Sequence, residues 1–201
     1  PHNKRERGMD QRLRRPAGLY AAGMLCVLLS ACGGSADTES LATSCNASAG
    51  SRWLSGTVSA VHDGDSLSLN TGHGTEHIRL QGLDAPELAQ AYGPSARQAL
   101  SQQTLQQAVR VAYQERDAYN RVLGQVFIGP CRDVNLQLLQ NGMAWFYRAY
   151  ACDLDSARRS RYALAEADAQ AQRLGLWRQN APVAPWVYRN GEDPQAPLCS
   201  D

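Results

Sequence analysis

The chain has no strong charge of either sign, no closely spaced cysteine pairs, no membrane-length apolar run and no internal repeat. Its formal net charge is +1 over 201 residues, which excludes capture of a polyanion by bulk electrostatics. Its six cysteines include no close pair backed by a second pair or by histidines, which excludes a finger-type zinc site. The longest apolar stretch, residues 18–29, is too short to serve comfortably as a permanent bilayer span. A composition that is 43% hydrophobic and 19% charged excludes a disordered chain. The length suggests one domain with extensions.

The charge that is present is uneven. Lys4, Arg5, Arg7, Arg12, Arg14 and Arg15, set against Glu6 and Asp10, all precede the apolar run. A chain without residues 1–31 is therefore slightly acidic. A basic segment, an apolar run and then Leu29-Ser30-Ala31-Cys32 have the order of an export signal and resemble a bacterial lipoprotein processing box. The expected organisation is a signal over residues 1–31, with Met9 as a plausible start. A lipidated Cys32 and a Ser/Gly/Ala-rich linker follow to residue 50, then a folded domain over 51–190 and a tail over 191–201. That order implies an exported envelope protein, outer-membrane-anchored and facing the periplasm or the exterior, with a monomer expected. Cys45, Cys131, Cys152 and Cys199 then remain for disulfides in an oxidising compartment. Four cysteines allow three pairings. The order of elements favours Cys131–Cys152 and Cys45–Cys199.

Beyond residue 50 the periodicity is mostly that of strands. Leu54, Val58 and Val61 lie in a strand-like run ending at a His62-Asp63-Gly64 turn. Residues 66–70 and 76–83 alternate polar and apolar across a Thr71-Gly72-His73-Gly74 turn, and Pro86 ends the second run. Pro94 opens a helix whose buried stripe is expected at Ala96, Ala99, Leu100, Leu105 and Ala108. Two more strands are predicted at 109–113 and 122–128. A short helix at 135–141 should stop at Gly142, and a longer one at 156–174 at Gly175. This pattern predicts a β-barrel with helices (α+β): a five-stranded Greek-key barrel of the OB type with three helices. Arg158, Arg159 and Arg161 are expected on a solvated helix face. His62, His73 and His77 are expected at turns and surfaces, and the four tryptophans as packing anchors.

One constellation carries chemistry. Asp65 and Asp84 can offer hard oxygens to a cation such as Ca²⁺. Glu87 can accept a proton from water. Arg79 and Arg121 can fork onto phosphate oxygens and offset charge that builds up there. Each residue alone has a bland reading as turn or surface, so their order along the chain carries the weight.

The residues in that order resemble the staphylococcal nuclease (thermonuclease-like) family. The similar stretches are Val61-His62-Asp63-Gly64-Asp65-Ser66, residues 78–87 through Asp84-Ala85-Pro86-Glu87, and Tyr92-Gly93-Pro94-Ser95-Ala96. Asp117-Ala118-Tyr119-Asn120-Arg121, residues 134–139 and 142–144, Ala165-Glu166-Ala167 and Gly175-Leu176-Trp177 continue the match. The resemblance implies an OB barrel and a Ca²⁺-dependent nuclease that cleaves DNA, RNA or both and leaves 3′-phosphates. It implies Asp65 and Asp84 as calcium ligands, a backbone carbonyl from Ala85, and Asp63 close to the ion in a supporting position. Arg79 and Arg121 correspond to phosphate-binding arginines, Glu87 to the carboxylate that activates water, and Tyr119 to a tyrosine beside the nucleotide. Tyr147 or Tyr150 approximates a second such tyrosine. The sequence departs from the family where a lysine-rich loop is usual: residues 88–92 are short and uncharged. With few phosphates neutralised, single-stranded or short substrates are expected over long duplex DNA. The competing reading is a catalytically silent OB module that binds nucleic acid or an envelope partner. A loss of one of the five constellation residues would favour it, and none is lost.

Overall fold

The computed structural model describes residues 45–191. The expected Cys32 lipidation site, the signal, most of the linker, Cys199 and the tail lie outside the described residues. The described chain begins with three antiparallel strands, β1 (Arg52–Val61), β2 (Ser66–Thr71) and β3 (Gly74–Leu80). Helix α1 (Gly93–Thr104) leads to β5 (Ala108–Arg116) and β6 (Val122–Ile128). Strand β1 pairs with both β2 and β5, and β5 pairs with β6. Parallel pairing of β3 with β6, Ile78 to Val122 through Leu80 to Gly124, closes the barrel. This is the five-stranded barrel that the alternation predicted. Its interior holds Leu67, Leu69, Ile78, Leu80, Val111, Val122 and Val126, all essentially inaccessible to water.

Two-residue strands trim the barrel. β7 (Arg132–Asp133) pairs antiparallel with the end of β6, and β4 (Leu83–Asp84) pairs with β8 (Trp145–Phe146). Helix α2 (Val134–Gln140) is capped by Asp133, whose carboxylate accepts from the Leu136 N–H. Helix α3 (Ser156–Ala171) is capped in the same way by Asp155. Two 3₁₀ segments, Arg148–Asp153 and Gly175–Arg178, and a fourth helix, α4 (Pro185–Asn190), complete the described residues. The three expected helices are present. The short α4 is an addition to them.

Several details differ from the sequence expectation. The second hairpin strand stops at Leu80, and Gly82, with φ +84°, turns the chain before the separate β4. Helix α1 stops at Thr104, so Leu105 and Ala108 leave its stripe and are exposed, while Ala96 and Leu100 are buried. Gln106 adopts a positive φ there, and the flanking backbone pairs with Val58. Helix α3 ends at Ala171, where Arg173 turns left-handed before Gly175. Arg158 does not lie on a solvated face. It is 3% exposed and its guanidinium donates to the side-chain oxygens of Gln81 (2.9 Å) and Gln125 (3.3 Å).

The disulfide pairing also differs. Cys45 is bonded to Cys131, and Cys152 is itself disulfide-bonded, so neither favoured pairing stands. The chain ahead of β1 lies across β5 and β6, where Cys45 packs with Ala112 and Phe127 beside the end of β6. Residues 45–49 therefore belong to the packed structure. Trp53 packs on Phe127, and Trp177 and Trp186 meet Trp145 edge-on, in keeping with packing roles.

Candidate active site

Turns at the ends of the barrel strands bring the scattered polar residues to one cleft of about 550 Å³. Asp63 and Asp65 come from the β1–β2 turn, Arg79 from the end of β3, and Asp84 from β4 with Ala85, Pro86 and Glu87 directly after it. Arg121 enters from the β5–β6 turn with Tyr119. Tyr147 and Tyr150 also line it, with Arg189 of α4 close to the Tyr147 hydroxyl.

Each turn has a local cause. Asp63 accepts from the Asp65 N–H (3.0 Å) and the Ser66 hydroxyl (2.7 Å), an Asx-type closure. Gly64 fits between Ala85 and Ala96, where a Cβ would lie 2.5 Å and 2.6 Å from their Cβ atoms. The turn before β6 is organised by Asp117. Its carboxylate accepts from the backbone N–H groups of Tyr119 (3.0 Å) and Arg121 (2.9 Å) and from Arg121 Nε (2.8 Å). Burial alone would raise the Asp117 carboxyl pKa, but the Arg121 backbone and side-chain donors hold it low. That ion pair uses Nε of Arg121 and not its terminal fork. The guanidinium carbon lies 5.5 Å over the ring of Tyr119, which is 81% exposed. The loop carrying Glu87 is pinned by Gly93, where a Cβ would fall 1.9 Å from the Glu87 carbonyl oxygen.

The acidic side of the cleft is buried and held by arginine. Asp65 and Asp84 are 6% and 1% exposed. Arg79 lies between them, with Nη1 3.0 Å from Asp65 Oδ2 and Nη2 2.8 Å from Asp84 Oδ1, and it also donates to the Leu80 and Leu83 carbonyls. Asp65 Oδ2 further accepts the Ala85 N–H at 2.6 Å. Burial pushes the Asp65 carboxyl up to about 7, against the pull of Arg79 and with the charges of Asp63 and Asp84 adding to the rise. A buried carboxylate beside other carboxylates is short of positive charge, and its oxygens are the hard donors that calcium prefers. Among the described residues no group of three His, Cys, Asp or Glu side chains could hold a metal. The fit is therefore a partial shell of two carboxylates, Asp65 and Asp84, with backbone carbonyls such as that of Ala85 available to add to it.

All the sequence-predicted residues of the constellation line this cleft. Two features were not anticipated. Arg79 commits its fork to carboxylates, so it holds the acidic residues in place as well as adding positive charge. Arg189 also reaches into the site. Its Nη2 is 2.7 Å from Asp84 Oδ2, and its Nη1 is 2.7 Å from Glu87 Oε1 and 3.3 Å from Asp84 Oδ1. The only signal for Arg189 in the sequence was its place in a short Pro-initiated segment. Tyr147 and Tyr150 do share the cleft, in edge contact at 5.0 Å, and Tyr147 stacks on Trp186 with rings 6° from parallel. Burial first, then the Asp84 charge, raises the Tyr147 hydroxyl pKa. Away from the cleft, His62 and His77 both hydrogen-bond the Ser68 hydroxyl.

Comparison with known proteins places this geometry in context. The family model described as staphylococcal nuclease homologue matches residues 77–179. A micrococcal nuclease of Shigella flexneri is 38% identical over 143 residues, covering 67% of this chain and 79% of the relative. An uncharacterized endonuclease of Haemophilus influenzae is 36% identical over 136 residues, covering 67% of this chain and 72% of the relative. An uncharacterized endonuclease of Escherichia coli is 33% identical over 137 residues, covering 68% and 86%.

Proposed function

The chain belongs to the staphylococcal nuclease homologues and is a nuclease, and from that premise we propose that it is a calcium-dependent phosphodiesterase. Its substrates would be DNA, RNA or both, preferably single-stranded, and its products would carry 3′-phosphates. The observation that carries the reading is the cleft itself. Buried Asp65 and Asp84 lie on one side, a carboxylate at Glu87 lies beyond them, and an arginine fork at Arg121 reaches in from another turn.

In this reading Asp65, Asp84 and the Ala85 carbonyl hold the ion, with Asp63 supporting the turn that presents Asp65. A bound calcium ion would supply positive charge next to the scissile phosphate and orient a water. Glu87 takes a proton from the attacking water as the water oxygen bonds to phosphorus, and the departing 5′ oxygen takes up a proton from solvent. Arg121 offers its terminal fork to the equatorial oxygens, where charge accumulates as the bond to the 5′ oxygen breaks. Arg79 keeps both carboxylates in position and adds a second positive charge. Exposed Tyr119 and the Tyr147–Tyr150 pair, all lining the cleft, offer faces to the sugar and base. Since the residues following Glu87 are short and uncharged, the cleft has to do most of the phosphate recognition, which favours flexible single strands.

The test is digestion of single-stranded DNA, duplex DNA and RNA by purified protein, with calcium and with a chelator. Calcium-dependent cleavage to 3′-phosphate ends is expected. Undiminished cleavage in chelator would overturn the calcium reading, and a lack of metal-dependent cleavage of every substrate would favour the binding module.

We also propose export with lipidation at Cys32 and residence in the cell envelope. The signal-like order of residues 1–32 supports this, and the Cys45–Cys131 disulfide suits an oxidising compartment. Mass spectrometry of the mature protein should find a diacylglyceryl or triacyl modification on Cys32. An N-terminus at another residue with no lipid would refute it.

A further inference from the structure

Arg189 occupies an unusual place for a residue outside the sequence motifs. Its guanidinium spans the carboxylate read as a cation ligand and the carboxylate read as the general base. The fork lies on Asp84, with Nη2 2.7 Å from Oδ2 and Nη1 3.3 Å from Oδ1, and the same Nη1 is 2.7 Å from Glu87 Oε1. Arg79 Nη2 covers the remaining side of Asp84 Oδ1 at 2.8 Å. Both oxygens of Asp84 thus have cationic partners.

We propose that Arg189 is a resident cation that competes with calcium for Asp84, so that ion binding and release of Glu87 are one event. The inference rests on the reading of Asp84 as a calcium ligand. A calcium ion binds carboxylate oxygens at about 2.3–2.6 Å. At Asp84 it would share an oxygen with a guanidinium nitrogen already in contact, and two like charges on one carboxylate repel. One arginine has to withdraw. Arg79 is the poorer candidate, since its side chain is 14% exposed and it is held by Asp65, Asp84 and the Leu80 and Leu83 carbonyls. Arg189 is 35% exposed. It sits one residue from the end of the six-residue helix Pro185–Asn190, so a side-chain rotation is enough to clear the site. As it leaves, Glu87 loses the same ion pair and its oxygen is freed to accept a proton. The carboxylates that build the reaction centre are in this way kept neutralised until the ion arrives.

Calcium titration by calorimetry of the wild type, Arg189→Gln, Arg189→Lys and Asp84→Asn tests this without reference to turnover. Removing the competitor should tighten calcium binding roughly tenfold in Arg189→Gln, the equivalent of about 1.4 kcal/mol. Arg189→Lys keeps the charge without the fork, so it should fall between the two and serves if the Gln variant unfolds. Equal or weaker calcium binding by folded Arg189→Gln overturns the inference and leaves the calcium reading standing. No calcium binding by the wild type, or unchanged binding by Asp84→Asn, overturns the calcium reading and the inference together.

Discussion

Replacing Arg79 with alanine tests whether the acidic side of the cleft is held by its own arginine. In the wild type the guanidinium contacts Asp65 at 3.0 Å and Asp84 at 2.8 Å, and neither carboxylate can reach water freely. Asp84 keeps Arg189 after the substitution. Asp65 keeps only the Ala85 N–H among the partners seen here, so most of the cost falls on that one group. Removing one partner of a buried ion pair costs about 3–5 kcal/mol. A urea slope for a small domain is about 1–3 kcal/mol per molar, so the midpoint should fall by roughly 2 M. Urea unfolding at about pH 9, above the raised Asp65 value of about 7 so that the carboxyl is charged in the wild type, in chelator and followed by tryptophan fluorescence, reads this directly. The double variant Arg79→Ala, Asp65→Asn is the control, because a neutral amide leaves no buried charge unpaired. It should recover most of the loss. A single-variant cost below about 1 kcal/mol, or no recovery in the double variant, would refute the argument that Arg79 neutralises a buried carboxylate.

The other predictions concern catalysis and the frame around it. Arg121→Ala should lower turnover by roughly 10²–10³-fold, and Glu87→Gln by about 10²–10⁴-fold, with circular dichroism and melting temperature close to wild type; near wild-type rates would remove those residues from their roles. Gly93→Ala puts a methyl where the Glu87 carbonyl stands. The loop must shift, so stability should fall by about 1–3 kcal/mol and turnover should fall with it, as a melt and a rate assay on the same sample will show. The Cys45–Cys131 bridge closes a sequence separation of 86 residues. The double Cys45→Ser, Cys131→Ser variant should therefore lose about 2–5 kcal/mol of stability, measured by denaturant unfolding, with calcium-dependent activity retained at low temperature.

Local sequence was a good guide wherever local physics decides structure. Alternating residues in 66–70 and 76–80 had to be strands, and Gly72 with Gly74 had to turn between them; the alternation did not reveal that Ser66 and Ser68 are buried along with Leu67 and Leu69. Pro94 opened a helix, and Gly142 closed one. The constellation was legible because Asp63, Gly64 and Asp65 form a self-closing turn, and because Asp84, Ala85, Pro86 and Glu87 leave a strand together. Arg121 was legible for a similar reason, as Asp117 four residues earlier fixes its turn.

What tertiary structure alone decided are the pairings between distant segments. The parallel contact of β3 with β6 closes the sheet into a barrel, and Arg121 joins Asp65 in one cleft. No local rule selects a partner for Cys131; the path of the chain ahead of β1 does, and it chose Cys45. Arg158 has the same sequence signature as a surface arginine, yet buried Gln125 and half-buried Gln81 offer acceptors and draw it inside. Arg189 lies about a hundred residues from Asp84, and only the return of the chain to the cleft puts its charge there. The sequence by itself determined the barrel's strands, the turns and the chemical types at the site, since these depend on neighbours a few residues apart. The tertiary structure decided which charges neutralise one another, because charge pairing depends on distance in space and not on separation along the chain.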